Sequence, residues 1–159
     1  MGNIFNTDFR EFIQALNDSN VEYILVGGYS VILHGHNRTT GDMDIWVNRT
    51  KQNYDRIVTA FAKFGMPLFD MTLPDFLNPA KFDVFRFGRK PMGIDIMTRV
   101  KGLEFEQCLK HSKLFKLEGI EIRTLDLQDL IKSKTEAGRY KDLDDISMIK
   151  KTNPDNETK

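Results

Sequence analysis

The stretch Val26-Gly27-Gly28-Tyr29, followed by Thr40-Gly41-Asp42-Met43-Asp44-Ile45-Trp46-Val47, decides how this chain is read. Two glycines close an apolar run over residues 21–26, and residues 29–34 allow one or two helical turns. Two carboxylates then stand at i and i+2 in a second apolar run. Side chains at i and i+2 of a strand leave the same face, so Asp42 and Asp44 point the same way. Held that close, two carboxylates repel unless positive charge lies between them. A divalent cation meets that need, and glycines at the start of a helix beside it suit a phosphate. Met43, Ile45 and Val47, on the other face of the same strand, read as core.

Outward from this stretch the pattern alternates helix and strand. Phe9, Phe12, Ile13 and Leu16 stand at helical spacing, with Thr7 placed as the N-cap. Tyr54, Ile57, Val58, Phe61 and Phe64 space out a second long helix, ended by Gly65 and Pro67. Residues 68–80, with Pro74 and Pro79, read as irregular. Residues 82–87 and 94–100 read as strands joined by a turn at 88–91. Residues 103–108 suggest a short helix. Residues 115–117 and 120–122 form a hairpin around Glu118-Gly119, and helices at 125–137 and 143–149 part near Gly138. The expected class is α/β or α+β, a mixed sheet with helices on at least one face. One domain covers residues 1–150, and residues 151–159, which hold no apolar side chain, read as a flexible tail.

The totals bound the partners. A chain of 159 residues with 40% hydrophobic and 29% charged residues has enough apolar surface for one core. Its formal net charge is zero, which disfavours a long nucleic acid without excluding one as acceptor. Cys108 is the only cysteine, so an internal disulfide is excluded and a reducing compartment, the cytoplasm, is expected. Neither a secretion signal nor a run long enough for a membrane helix is present, so no membrane partner is expected.

A third carboxylate, Asp95, lies between Ile94 and Ile96. Two readings stand. Asp95 and Arg99 form the wet face of an edge strand, or Asp95 sits on a strand beside Asp42 and Asp44. In the second case, three convergent carboxylates hold two Mg²⁺ ions, which orient a triphosphate and activate an attacking hydroxyl.

Val26-Gly27-Gly28, Asp42-Met43-Asp44 and Asp95 resemble, in order and setting, the signature of the nucleotidyltransferase superfamily that includes DNA polymerase beta and small antibiotic nucleotidyltransferases. Arg38-Thr39-Thr40-Gly41 resembles the approach to the first Asp in small bacterial members. The endings Asp129–Lys134 and Ala137–Ile146 are similar to those of abortive-infection-type members. The resemblance implies a partly antiparallel nucleotidyltransferase-type sheet with C-terminal helices. It implies transfer of a nucleoside monophosphate from NTP to a hydroxyl-bearing acceptor, by a small enzyme able to work as a homodimer. Gly27 and Gly28 would cradle the triphosphate, and Asp42, Asp44 and Asp95 would be both catalytic and metal-binding. A role in a toxin-antitoxin or abortive-infection system and a silent nucleotide-binding module are the alternatives.

Other residues keep two readings. Ser30 either binds phosphate or satisfies helix-start backbone. Arg38 either reaches phosphate or lies on the surface. Lys134, Arg139 and Lys141 either face the nucleotide or pair with Asp142, Asp144 and Asp145 on a solvated helix face. His34 and His36 read as loop or cap structure and Cys108 as a buried small hydrophobe; Phe76 reads either as core or, with its loop, as a wall for the acceptor.

Overall fold

The computed structural model describes residues 6–88 and 93–154. Its elements, in chain order, are α1 (Thr7–Asp18), β1 (Tyr23–Val26), α2 (Gly27–Leu33), β2 (Met43–Val47), α3 (Lys51–Phe64), α4 (Leu73–Phe76), β3 (Val84–Phe87), β4 (Ile94–Met97), α5 (Phe105–His111), β5 (Lys113–Leu117), β6 (Ile120–Thr124), α6 (Leu127–Ala137) and α7 (Tyr140–Thr152). The strands form one mixed sheet in the order β3-β4-β2-β1-β6-β5. β1 runs antiparallel to β2 and parallel to β6, and β4 runs parallel to β2 and antiparallel to β3.

Both sheet faces are covered. Met43, Ile45 and Val47 of β2 pack with Phe9, Phe12 and Leu16 of α1 and Ile57 and Phe61 of α3. Ile24, Val26 and Trp46 face the other way, onto Cys108, Leu127, Leu130 and Ile149 of α5, α6 and α7. All four residues of β1 are therefore buried, which explains its continuous apolar run.

Local chemistry sets the ends. α1 is capped by Asn6, whose Oδ1 accepts the Phe9 N–H at 2.8 Å, one residue before the expected Thr7. α3 closes on Gly65 and α6 on Gly138, both left-handed. The segment read as irregular contains one helical turn, α4, capped by Thr72 and carrying Pro74 in its first turn. β4 stops at Met97, short of residue 100, and the next N–H, from Thr98, donates to Asp83 O at 2.9 Å. α7 passes residue 150, and Asn153 donates from Nδ2 to His34 O at 2.9 Å. The expected tail is thus packed as far as residue 153. Residues 155–159 and most of the expected turn at 88–91 lie outside the described residues. Among the described residues, no helix is long and apolar enough to cross a membrane.

Candidate active site

The sheet lines up its charged residues at one level. In the strand registers, Val26 is opposite Asp44, Asp44 opposite Asp95, and Asp95 opposite Arg86. Directly paired residues share a face, so Arg86, Asp95 and Asp44 stand side by side on three neighbouring strands. Asp42 precedes β2 and lies next to Gly93, which precedes β4; Met43 N–H donates to Gly93 O at 2.9 Å. The site therefore gathers at the sheet end where β1 and β3 finish and β2 and β4 begin.

Glycine is needed where the backbone approaches these carboxylates. Gly27 has φ +69, and a Cβ there would overlap the Asp44 carboxylate. A Cβ on Gly93 would stand 2.7 Å from Asp42 Oδ1. A Cβ on Gly28 would overlap Thr40 and come within 2.9 Å of Arg38 Nη2. Gly27 and Gly28 open α2 against these side chains, as expected from the sequence.

The result is a cavity of about 800 Å³. Asp42, Asp44 and Asp95 line it together with five cationic side chains, Arg38, Arg86, Lys134, Arg139 and Lys141. Burial pushes the Asp44 carboxyl up to about 7, with the neighbouring Asp95 and Asp42 adding to the rise and Lys134 opposing it. Asp95 is buried, not on a wet edge face. Its two oxygens take Arg86 Nε at 2.9 Å and Nη2 at 3.3 Å.

The junction of α6 and α7 supplies the cationic wall. Lys134 is 5% exposed, and its Nζ is 3.1 Å from both Asp142 Oδ1 and Asp145 Oδ2. The solvated-face reading of Lys134 is overturned, because packing of α6 on α7 encloses it. Arg139 clasps Asp142 through Nε at 2.6 Å and Nη2 at 3.1 Å. Burial alone would push Asp142 up; the Arg139 and Lys134 hydrogen bonds outweigh it and hold the carboxyl at about 2. Arg38 Nε lies 3.1 Å from Asp145 Oδ1, and Arg38 lines the cavity instead of the outer surface.

The sequence-read residues divide cleanly. Gly27, Gly28, Arg38, Asp42, Asp44, Asp95 and Lys134 all line the cavity. Ser30 does not: it is fully buried, its Oγ 2.6 Å from Thr124 Oγ1, which in turn donates to Leu25 O. Its hydroxyl meets a side chain of β6, so it neither reaches the cavity nor satisfies helix-start backbone. Phe76 is also fully buried, its ring 5.2 Å from that of Tyr54, so it belongs to the core and not to an acceptor wall. His34 Nε2 lies 2.7 Å from Leu125 O, in the structural role expected. Arg86 was missed. Its signal lay in the alternation Val84-Phe85-Arg86-Phe87, which turns Arg86 away from the face of the two phenylalanines.

An all-oxygen donor set of carboxylates suits Mg²⁺, and the rise of Asp44 is the mark of a carboxylate short of positive charge. The residues present therefore fit the ion. Asp42, Asp44 and Asp95 form a more open set than two other groups whose ligand atoms all lie within 4.8 Å of one another, His36–Asp144–Asp145 and His111–Asp126–Asp129. In the first of these Asp145 already faces Arg38 and Lys134. In the second Asp126 already caps α6.

Residues 7–151 match the family model described as nucleotidyltransferase of unknown function (DUF6036). The chain belongs to this family. Its fold is similar to that of a candidate nucleotidyltransferase of Thermotoga maritima, with a TM-score of 0.55, 15% identity and 86% of each chain covered. It is also similar to an antigenic nucleotidyltransferase-like protein of Paracoccidioides brasiliensis, with a TM-score of 0.55, 14% identity and coverage of 89% of this chain and 73% of that one. A comparison with curated proteins gave no match. The mixed α/β sheet flanked by helices is thus a nucleotidyltransferase-type fold.

Proposed function

We propose that this chain transfers a nucleoside monophosphate from a metal-bound NTP to a hydroxyl-bearing acceptor. The observation that carries the proposal is the row of Asp44 and Asp95 on adjacent strands, with Asp42 beside them and Asp44 short of counter-charge. Asp42, Asp44 and Asp95 would hold Mg²⁺. When bound, the ion neutralises charge on the triphosphate and lowers the pKa of the attacking hydroxyl. Gly27 and Gly28 leave room for phosphate against the backbone. Arg38, Lys134, Arg139 and Lys141 face the charge of the triphosphate from the other wall. The acceptor oxygen bonds to the α-phosphorus, and the bond to the bridging oxygen breaks. Pyrophosphate leaves with that electron pair, and the hydroxyl proton passes to Asp95. For Asp95 to act, Arg86 has to loosen its two-point grip.

That grip supports a second reading, a module that binds nucleotide without transfer. Melting curves with each of ATP, GTP, CTP and UTP, with Mg²⁺ or with chelator, test binding. Ligand at about 100 times its dissociation constant adds roughly 2.7 kcal/mol, a rise of about 5–10 °C at this chain length. Label passing from the stabilising NTP to an acceptor in cell extract separates transfer from silent binding. No shift with any magnesium nucleotide removes both readings.

A further inference from the structure

Away from the cavity, α5 and α6 each bring a pair of donor residues to their shared junction. Cys108 and His111 stand three apart on α5, and Asp126 and Asp129 stand at the N-cap and in the first turn of α6. Residues three apart on a helix are neighbours on one face. Cys108 packs with Leu127 and Leu130 of α6, which brings the two pairs together. His111, Asp126 and Asp129 each offer a ligand atom, and these three atoms all lie within 4.8 Å of one another. His111 Nδ1 is 3.8 Å from Asp129 Oδ2.

Helix capping accounts for only part of this cluster. Asp126 caps α6 through Oδ1, which accepts the Asp129 N–H at 2.8 Å. Capping gives no reason for Asp129 Oδ2, which is buried and has no hydrogen-bond partner among the described residues. Neither carboxylate is ion-paired with a lysine or arginine among the described residues; the one ion-pair partner of Asp129 is His111. The other His–Asp–Asp group has no such need, because Arg38 and Lys134 already face Asp145. Behind Asp129 lies Cys108, 2% exposed. Burial, then the charge of Asp129 and a hydrogen bond to it, push the Cys108 thiol up to about 12.

We propose that Cys108, His111, Asp126 and Asp129 form a zinc site that ties the end of α5 to the start of α6. A sulfur, an imidazole nitrogen and carboxylate oxygens are the donors Zn²⁺ takes, four at a time. Sulfur and imidazole set this group apart from the all-oxygen carboxylates of the cavity, which suit Mg²⁺. Zinc bonds of about 2.1 Å at a tetrahedral angle put a nitrogen and an oxygen ligand about 3.4 Å apart, against 3.8 Å between His111 and Asp129 here. On binding, the sulfur exchanges its proton for the metal, and the proton leaves to solvent. The cation supplies the positive charge that the two carboxylates withhold from the thiolate. The His111 side chain is 58% exposed, which gives the ion a way in. This site stands or falls independently of the transferase reading.

The test uses the full chain, without a histidine tag, in excess Mg²⁺. The probe is Co²⁺, a spectroscopic stand-in for Zn²⁺. One equivalent is expected to give a thiolate-to-cobalt charge-transfer band and the strong visible bands of a four-coordinate ion, and Zn²⁺ should bleach both. Cys108 is the only cysteine, so the charge-transfer band has no other source in the chain. Asp44→Asn should keep the whole spectrum, which separates this site from the cavity carboxylates. His111→Gln, at an exposed position, should weaken Zn²⁺ binding about tenfold or more, since even a group that only supports a metal ligand is worth that much. A folded parent that shows no charge-transfer band with Co²⁺ overturns the proposal. So does a His111→Gln chain that binds Zn²⁺ as tightly as the parent, because the thiol would then be taking up metal without the rest of the set.

Discussion

Asp44→Asn tests the electrostatics of the site most directly. Burial and the neighbouring carboxylates lift Asp44 from 3.8 to about 7 in the folded chain. The group therefore holds its proton in the folded state over a window where the unfolded chain has released it. Stability from this group is fully present below about pH 4 and is lost as pH rises to about 7, beyond which the loss is constant. A shift of about three units is worth at most about 4 kcal/mol; solvent in the cavity reduces this to about 2–3 kcal/mol. Asparagine has the shape of the neutral carboxyl and never ionises. At pH 8 in chelator, Asp44→Asn should accordingly melt about 5–10 °C above the parent. At pH 4 the two should melt together. Adding Mg²⁺ at pH 8 should raise the parent and leave the variant unchanged, closing the gap. Calorimetry at both pH values, with and without Mg²⁺, measures all three. A variant that melts at or below the parent at pH 8 without metal would refute the reasoning, because Asp44 would then have a counter-charge in the folded chain.

Other outcomes follow from the same geometry. Asp142→Asn, which leaves the buried Lys134 with Asp145 alone, should lose about 3 kcal/mol by chemical denaturation; Asp142, held at about 2, also makes the parent lose stability as pH falls from about 4 toward 2. Gly27→Ala should cost about 2 kcal/mol through its φ of +69 and should abolish stabilisation by magnesium nucleotide, read by melting curves. The Cys108 thiol is 2% exposed and is pushed to about 12 by burial and then by Asp129, so it should react with a thiol reagent at pH 8 only when denaturant is added.

Legibility varied with the range over which each residue finds its partner. Asp44 stood out because it is the one charge in an otherwise apolar five-residue strand. Asp95 stood out because two isoleucines enclose it. Arg86 is marked only by the alternation of β3, which gives its face but not its partner: Asp95 lies nine residues on, across a strand pair whose register no local pattern states. Ser30 was ambiguous for the same reason at longer range: Thr124, which takes its hydroxyl, is 94 residues away. Lys134 stands four residues after Leu130 and seven after Leu127, on the face that helical spacing turns inward, but a lone lysine there reads as solvated. Only the packing of α7 on α6 buries it. Asn6 and Thr7 are both good caps, and the choice falls to Asn6 because the amide it reaches, that of Phe9, lies three residues on.

Zero net charge over the whole chain conceals a separation of charge within one cavity. Along the sheet, Arg86 stands against Asp42, Asp44 and Asp95, a formal balance of two negative charges when Asp44 has released its proton. Along the opposite wall, Arg38, Lys134, Arg139 and Lys141 stand against Asp142 and Asp145, which leaves two positive charges. The first half matches the charge of one divalent cation, and the second faces the charge that a triphosphate keeps after that cation has bound. Neither half is comfortable alone: Asp44 answers by holding a proton, whereas the wall answers by burying Asp142 against two cations. A ligand carrying both charges in fixed order relieves the two halves together. A bare divalent ion relieves only the sheet side, and a bare triphosphate meets repulsion there. Magnesium and nucleotide should therefore bind with positive coupling, each tightening the other, and additive binding of the two would contradict this division of charge.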